Sequence, residues 1–463
     1  MTKIYSMTVP VDADIVDAFC VMQKGFTDQF VYYDKERPVR YMGLGRCIAL
    51  PTLEDVDFEQ MRAEDVIGED VDASPQVAAR AAQAAAGASA SCAGDAAEAV
   101  DQPAVFFSFN RFDAENPAPV DELQGSFPRL RFMLPEVVLI ENERGRMLQV
   151  NSLGPVYPGR VERFLRMCKD APRRTRVSVP YAIERDSREA WMDAMDKALG
   201  AIAEGRVEKV VLSRRQKLTA AHPFSSKDLL VNLIDGSARG KVILYRYADV
   251  FFCGCTPELL VRKHGNAVES MCLAGTCPAG ADEEERARLA RDLMADEKNR
   301  GEHDYVVRFI REVFNRTCYD VDVPATPGIM SLAHVQHLHT PARAKMLEGV
   351  DIRAMAEDLH PTPATSGTPV GEAKMLLRRI ESYNRGFYAG AAGFVDAAGD
   401  GEFAVALRTG VFDGEIGWVY AGCGIVAGSD AAAEHDEIDL KLKTVLSAFD
   451  GESTYEEKEG DAR

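Results

Sequence analysis

The chain has 463 residues, of which 46% are hydrophobic, and it carries a net charge of −19. This length allows about three domains, or one large body with an appendage, around a sizeable core. A surface this acidic argues against partners such as nucleic acid or anionic membranes. Any pocket for an anionic substrate must therefore be locally positive or hold a metal ion.

The cysteines and the N-terminus indicate a protein of the reducing cytoplasm. The ten cysteines are scattered, and the closest pairs, at 253/255 and 272/277, lack the spacing of a zinc site. We therefore expect reduced and mostly buried thiols. There is no run of about 18 apolar residues and no charged-then-apolar signal pattern, so we expect no membrane segment and a cytoplasmic location.

The first part of the chain predicts antiparallel strands with one large insertion. Alternating runs such as 3–5 and 30–33 are typical of strands, and further strands are predicted over 104–112 and 131–142. Residues 73–104 are mostly alanine with serine, glycine and aspartate. We predict a disordered insertion there, because this composition buries little apolar area. A helix is predicted over 181–204 from its apolar spacing.

The second part mixes strands and helices without a regular βαβ order. Strands are predicted over 209–214, 241–247, 251–254, 259–263, 403–411 and 418–425, and helices within 281–314, 350–359 and 371–383. We predict an α+β fold, a single large body of antiparallel β-sheets flanked by helices. Its regions are residues 1–180, residues 181–450, which hold the candidate chemistry, and a disordered acidic tail at 451–463.

Residues 418–446 combine a strand, a glycine turn and a helix, which begins after Ser429 or Asp430 as N-cap. Glycines at 422 and 424 allow the backbone to approach a ligand closely. Glu434, Glu437 and Lys441 follow at i, i+3 and i+7 and share one helix face. Such a face can hold a cation and an anion together, and the alternative is a solvated face with one ion pair.

Two ionisable residues lie where apolar strands begin or are interrupted. Lys209 opens the segment KVVLSR. Desolvation disfavours a charged amine, so Lys209 is a candidate base, unless its ammonium group reaches solvent at the strand end. Glu258 lies in FFCGCTPELLVR, where apolar surroundings suit a general acid, and the alternative is a solvent-exposed glutamate.

Two loop motifs offer groups that could line a pocket. In LAGT, Gly275 and Thr276 supply a flexible backbone and a hydroxyl, although this could be an ordinary turn. In LHPTPA, two prolines restrict a loop that carries His360. The imidazole is a candidate donor to a substrate oxygen, and a structural histidine is the alternative.

Two further charged residues lie against apolar surroundings. Glu302 is close to the apolar side of a predicted helix, and together with Glu437 it could bind a hard cation such as Mg²⁺. The alternative is a surface helix with salt bridges. Arg408 in VALRT requires an anionic partner, either a bound carboxylate or an internal ion pair.

In this order the motifs resemble the chorismate-utilising enzymes, over about 181–449. They read KVVLSR, TPELL, LAGT, EKNRGEH, LHPTPA, ALRT, and GCGIV followed by E-x2-E-x3-K. The resemblance implies the family's body of antiparallel sheets. In having a lysine at position 209, the chain is similar to the members that add water. The ammonia-adding anthranilate and aminodeoxychorismate synthases usually lack this lysine. The resemblance therefore implies isochorismate synthase activity, in a chorismate-binding catalytic region at 181–450.

The resemblance also implies a mechanism. Mg²⁺, held by Glu302 and Glu437 with Glu434 nearby, chelates the ring carboxylate of chorismate. Lys209 activates a water molecule that attacks C2, and Glu258 protonates the departing C4 hydroxyl. The resemblance places the following residues around the substrate: Gly275, Thr276, His360, Tyr388, Arg408, Gly424 and Lys441.

Other members of the family remain alternatives. Salicylate synthase shares the lysine and then eliminates pyruvate from isochorismate, and a component of anthranilate or aminodeoxychorismate synthase is a more distant alternative. A non-catalytic chorismate-binding subunit would not need both an acid and a base. The resemblance implies a monomer or homodimer without a glutamine amidotransferase subunit. Whether the product feeds menaquinone or a siderophore is left open.

Overall fold

Two large β-sheets form the body of the protein in the computed structural model. It describes residues 2–51, 53, 56–60, 102–120, 122–128, 132–184, 187–449 and 453–456. The strands in these residues are β1 Thr2–Pro10, β2 Asp28–Asp34, β3 Arg40–Leu44, β4 Ile48–Leu50, β5 Val56–Gln60, β6 Val105–Phe109, β7 Phe132–Leu134, β8 Val137–Asn142, β9 Gly145–Ser152, β10 Tyr181–Glu184, β11 Lys209–Thr219, β12 Lys241–Tyr247, β13 Val250–Thr256, β14 Leu259–His264, β15 Ala267–Pro278, β16 Cys318–Asp322, β17 Gly328–Ser331, β18 Val335–Met346, β19 Gly367–Thr368, β20 Ala391–Asp396, β21 Gly401–Val405, β22 Thr409–Asp413, β23 Ile416–Ile425 and β24 Ser453–Glu456.

Helices pack against both sheets. Within the described residues they are α1 Ile15–Met22, α2 Glu122–Gly125, α3 Pro158–Lys169, α4 Arg188–Ala203, α5 Ser226–Gly236, α6 Glu283–Ala295, α7 Glu297–Thr317, α8 Ile352–Leu359, α9 Val370–Ile380 and α10 Ala431–Leu446, with a short 3₁₀ helix at Gln23–Gly25. In this part of the chain no helix combines the length and the apolar character that crossing a membrane requires.

The sheets are antiparallel apart from two parallel pairs among the described strands, β1 with β5 and β10 with β24. The first sheet has the order β24-β10-β11-β23-β22-β13-β12-β2-β3-β8-β9-β1-β5, with β19 beside β11. The second has the order β16-β18-β15-β14-β21-β20-β6-β7-β4, with β17 beside β18. Strands from both halves of the chain share each sheet. The predicted α+β class, with antiparallel sheets flanked by helices, is confirmed.

The chain crosses between the sheets at two neighbouring points. β13 of the first sheet continues into β14 of the second, and β21 of the second continues into β22 of the first. The Thr256 hydroxyl donates to the Val405 carbonyl (2.6 Å), and the Val405 amide donates to the Glu258 carbonyl (3.1 Å). These bonds join the two crossings, which carry Glu258 and Arg408 into the space between the sheets.

The second crossing corrects the strand predicted over 403–411. β21 ends at Val405 and β22 begins at Thr409. Between them Arg408 has a φ of 55°. That left-handed conformation is incompatible with an extended strand, so the apolar run is divided between the two sheets.

Three other predictions also change. The helix predicted over 181–204 begins only at Arg188, because 181–184 alternates between buried and partly exposed residues and pairs with β11 as β10. Of the tail predicted to be disordered, Ser453–Glu456 forms β24, whose parallel pairing satisfies the backbone groups along the edge of β10. The predicted strand over 131–142 is divided at Pro135, which has no amide hydrogen to donate. In the predicted insertion, residues 73–101 lie outside the described residues.

Candidate active site

A cleft opens where the two crossings meet β11, β15 and β23 and the helices α7 and α10. It contains most of the site residues that the sequence predicts. Those that line it are Glu258, Gly275, Thr276, Glu302, Tyr388, Arg408, Gly424 and Lys441.

Lys209 is the first residue of β11, is fully buried, and lies behind the lining of this cleft, next to Glu302 and Gly424. Its Nζ atom is 3.0 Å from Oε1 of Glu302. The contact is ionic and lacks the alignment of a hydrogen bond. Gly424 on β23 lies beside both groups, since a Cβ atom there would be 2.0 Å from Oε1 of Glu302 and 2.9 Å from Cε of Lys209. Glycine leaves room for this ion pair.

Glu258 supplies a buried carboxyl group to the cleft and is 2% exposed. Burial raises its pKa to about 8, although the positive charges of Lys209, Arg408 and Lys441 act in the opposite direction. The group is therefore protonated at neutral pH, as a general acid must be.

Arg408 and His337 form a buried pair. Nη2 of Arg408 donates to Nε2 of His337 (2.9 Å), and Nδ1 of the imidazole lies 3.1 Å from the hydroxyl of Thr276. Burial, together with the charge of Arg408, lowers the pKa of His337 well below its ordinary value. The neutral imidazole accepts from the guanidinium group without neutralising it. Among the described residues no carboxylate forms an ion pair with Arg408, which leaves it free to bind an anion.

Lys441 and Glu437 lie one turn apart on α10 and form an ion pair of 2.7 Å. The lysine also donates to the Gly422 carbonyl (2.9 Å) on β23, so it reaches from the helix to the strand. The glycine turn predicted at 422 and 424 is wrong, since both glycines lie within β23. Burial raises the pKa of Glu437. Burial alone would lower the pKa of Lys441, but the charge and hydrogen bond of Glu437, together with the charges of Cys423 and Glu302, outweigh burial and raise the pKa.

Each of the three predicted metal ligands contacts a lysine. Glu302 pairs with Lys209 and Glu437 with Lys441, while Glu434 accepts a hydrogen bond of 2.7 Å from Lys298 on α7. These three carboxylates do not form a compact cluster. In the described part of the chain, the group whose ligand atoms all lie within 4.8 Å of one another is His435, Asp436 and Asp439, elsewhere on α10.

Tyr388, Gly275 and Thr276 complete the walls. Tyr388 is buried and stacks on Tyr420 with ring centroids 5.2 Å apart, and burial raises its pKa to about 12, so its hydroxyl stays neutral. Gly275 has a φ of 78° at an irregularity in the pairing of β15 with β18. The amide of Thr276 then donates to Oδ1 of Asn299 (3.1 Å), which ties this strand to α7.

His360 does not lie in this cleft. It follows α8, its Nε2 atom is 3.2 Å from the carbonyl of Phe112, and it lines a separate cavity. Burial lowers its pKa to about 4. Its loop reaches the cleft through Ala364 and Thr365 instead. The imidazole is thus placed as a structural histidine, the alternative that its sequence context allowed.

Sequence reasoning missed Arg385 as well as His337. Arg385 is buried, forms an ion pair of 2.6 Å with Glu381, and donates to the Thr365 carbonyl (2.8 Å). It also lines the cleft. Neither residue lies in a motif with recognisable spacing. Both lie among polar neighbours, in RRIESYNRGFY and SLAHVQHLHT, so the sequence carried no signal like the apolar surroundings of Arg408.

These features define the class of protein. The chain belongs to the chorismate binding enzymes, because the model of the family described as "Chorismate binding enzyme" matches residues 1–450. Among individual relatives, the isochorismate synthase MenF of Bacillus subtilis is 38% identical over 275 residues, which are 59% of this chain and 58% of that protein. The match thus spans less than two thirds of that relative.

Two further comparisons cover more of the chain. The salicylate biosynthesis isochorismate synthase of Pseudomonas aeruginosa is 33% identical over 354 residues, 73% of each protein. The solved structure of MenF, the menaquinone-specific isochorismate synthase from Escherichia coli, has a TM-score of 0.74 and 22% identity, and the match covers 96% of this chain and 94% of that one. The latter likeness shows a shared fold.

Proposed function

We propose that this chain is an isochorismate synthase that depends on Mg²⁺. It converts chorismate to isochorismate by adding water at C2 with loss of the C4 hydroxyl. The observation that carries the proposal is that one cleft is lined by Glu258, a buried carboxyl group whose pKa is about 8, and by Glu302, which contacts the fully buried Lys209. The names of the similar proteins from Bacillus and Pseudomonas support the same activity.

The reaction needs two proton transfers, one to Lys209 as the base and one from Glu258 as the acid. Water is a poor nucleophile, so Lys209 is proposed to accept its proton as the oxygen attacks C2. Both ring double bonds shift, from C1=C2 and C5=C6 to C1=C6 and C4=C5, as the C4–O bond breaks. Glu258 donates its proton to the departing oxygen, which leaves as water. The protein takes up one proton and releases one, as an isomerisation requires.

Positive groups in the cleft are proposed to bind the two carboxylates of the substrate. Arg408 is buried and its guanidinium contacts a neutral imidazole, so it retains its charge for a ligand. Lys441 and the backbone at Gly424 lie on the opposite wall, and Tyr388 presents a neutral hydroxyl. This local positive charge is what the acidic composition demands.

Glu302 and Glu437 are proposed to hold Mg²⁺, with Glu434 nearby. Carboxylate oxygens are the donors that this ion prefers, and Gly424 leaves the space in which the Glu302 carboxylate lies. The ion, when bound, supplies charge that orients and polarises a carboxylate of the substrate.

Product analysis tests the proposal. The purified protein is incubated with chorismate and MgCl₂ at neutral pH, with and without ammonium chloride, and the products are separated by chromatography. Isochorismate as the main product in both reactions is the expected result. Salicylate with pyruvate would instead assign salicylate synthase activity. Anthranilate or 4-amino-4-deoxychorismate in the ammonium reaction, or unchanged chorismate in both, would overturn the proposal.

A further inference from the structure

One of the proposed metal ligands, Glu434, is paired with a lysine that lies outside the cleft. Lys298 on α7 donates to Glu434 on α10 over 2.7 Å. The side chain of Glu434 is 6% exposed, whereas that of Lys298 is 39% exposed. Lys298 does not line the cleft. The pair therefore joins a buried carboxylate to a lysine that solvent can reach.

Lys298 contacts Glu434 directly and shares a helix face with Glu302. Lys298 precedes Glu302 by one turn of α7, and Glu434 precedes Glu437 by almost one turn of α10, so each pair shares a helix face. Burial alone would lower the pKa of Lys298. The hydrogen bond and charge of Glu434, with smaller contributions from Glu302 and Glu437, outweigh burial and raise it. Its ammonium group thus interacts with each carboxylate.

This arrangement bears on the metal that the proposed function requires. We propose that Lys298 is a positioning residue that weakens and thereby sets the affinity of the cleft for a divalent cation, by neutralising Glu434. The cation and the ammonium group compete for the same negative charge. Because Lys298 has a flexible stem and an exposed side, it can move away when a cation binds.

Lys298 differs in this respect from the other two lysines. Lys209 and Lys441 are buried in the proposed catalytic and binding machinery. Lys298 touches neither the cleft nor a proposed substrate group, so its removal changes the charge at Glu434 and leaves those contacts in place. Without Lys298, Glu434 is a buried carboxylate without its partner, a state that a bound cation relieves.

The test measures metal binding without chorismate. MgCl₂ is titrated calorimetrically into the wild type and four variants: Lys298→Met, Lys298→Arg, Glu434→Gln and Lys298→Met/Glu434→Gln. Lys298→Arg is the control that conserves the charge. Circular dichroism confirms that each protein is folded. We expect Lys298→Met to bind Mg²⁺ about three- to fivefold more tightly, the upper end for a partly exposed ion pair. Lys298→Arg should match the wild type. In the Glu434→Gln background, the same change should alter affinity less than about twofold.

Thermal melting provides a second measurement. Lys298→Met should melt at a lower temperature than the wild type in EDTA and show a larger rise on addition of MgCl₂. Three results would overturn the inference. The first is that Lys298→Met binds Mg²⁺ no more tightly than the wild type. The others are that the same gain in affinity persists in the Glu434→Gln background, or that neither the wild type nor Lys298→Met binds Mg²⁺. Because no chorismate is used, failure of the proposed reaction shows separately, in the product analysis.

Discussion

Nζ of Lys209 lies 3.0 Å from Oε1 of Glu302, so the proposed base contacts a proposed metal ligand. The two groups come from β11 and α7 and share the space above Gly424. Substitutions of Lys209, Glu302 and Gly424 should therefore all lower turnover, the first by removing the base, the second by removing a metal ligand and the third by displacing that ligand.

Lys209→Ala should lower isochorismate formation by about two to four orders of magnitude, the range for a general base. Chorismate should still bind, as measured by calorimetry, because Arg408 and Lys441 remain. Lys217→Ala is the matched control, since this lysine lies on the same strand but is 33% exposed and paired with Glu184. A Lys209→Ala enzyme that turns over at nearly the wild-type rate would contradict the assignment.

Gly424→Ala should reduce turnover at least ~100-fold, the scale of losing preorganised charge stabilisation. The new Cβ would lie 2.0 Å from Oε1 of Glu302 and would displace the carboxylate. Gly301→Ala is the control, because this helical residue is adjacent to Glu302 and has no atom within 4 Å of an added Cβ. That variant should keep its activity and gain up to about 1 kcal/mol in stability. Equal activities of the two variants would rule out the steric argument.

The activity should fall at alkaline pH because Glu258 acts in its protonated form. With a pKa of about 8, kcat/KM should decrease tenfold per pH unit above that value. Glu258→Gln should be severely impaired at every pH, since an amide cannot protonate the leaving oxygen. A rate that is unchanged up to pH 10, or an active Glu258→Gln enzyme, would contradict the role.

The same pKa predicts a dependence of stability on pH. The carboxyl pKa in the folded state, about 8, exceeds its usual value of 4.5. The contribution of this group to folding is therefore fully present below pH 4.5 and is lost as pH rises through 8. Glu258→Gln should melt with the wild type at pH 5 and above it at pH 9. If the wild type and Glu258→Gln melted at the same temperature at pH 9, the carboxyl group of Glu258 would not be desolvated.

Activity should require a divalent cation. Glu302→Gln or Glu437→Gln should each reduce turnover at least ~100-fold, and EDTA should abolish activity until MgCl₂ is restored. Glu312→Gln is a control on α7, the helix of Glu302, because Glu312 is exposed to solvent. Full activity in excess EDTA would exclude the metal.

Local sequence was sufficient for several features. Helical periodicity alone brings Glu434, Glu437 and Lys441 to one face of α10, and the glycines of β23 mark a close approach. The apolar neighbours of Lys209 and Glu258 along the chain made both candidates for burial, with solvent exposure as the alternative, and the structure buries both. The order of the motifs indicated the chorismate-utilising family and hence the α+β body. These properties depend on nearby residues, so they can be read without the fold.

The tertiary structure alone decided which groups meet across the cleft. His337 accepts a hydrogen bond from Arg408 in the cleft. Arg408 lies there because the chain crosses between the sheets at 406–408, where its φ is positive. His360, by contrast, points to Phe112 and away from the cleft. Its motif could not show this, since the direction of a side chain from a loop depends on distant strands. Both the burial and the partner of a charge are decided by the packing of strands and helices that are distant in sequence, whereas the neighbours along the chain only make burial favourable.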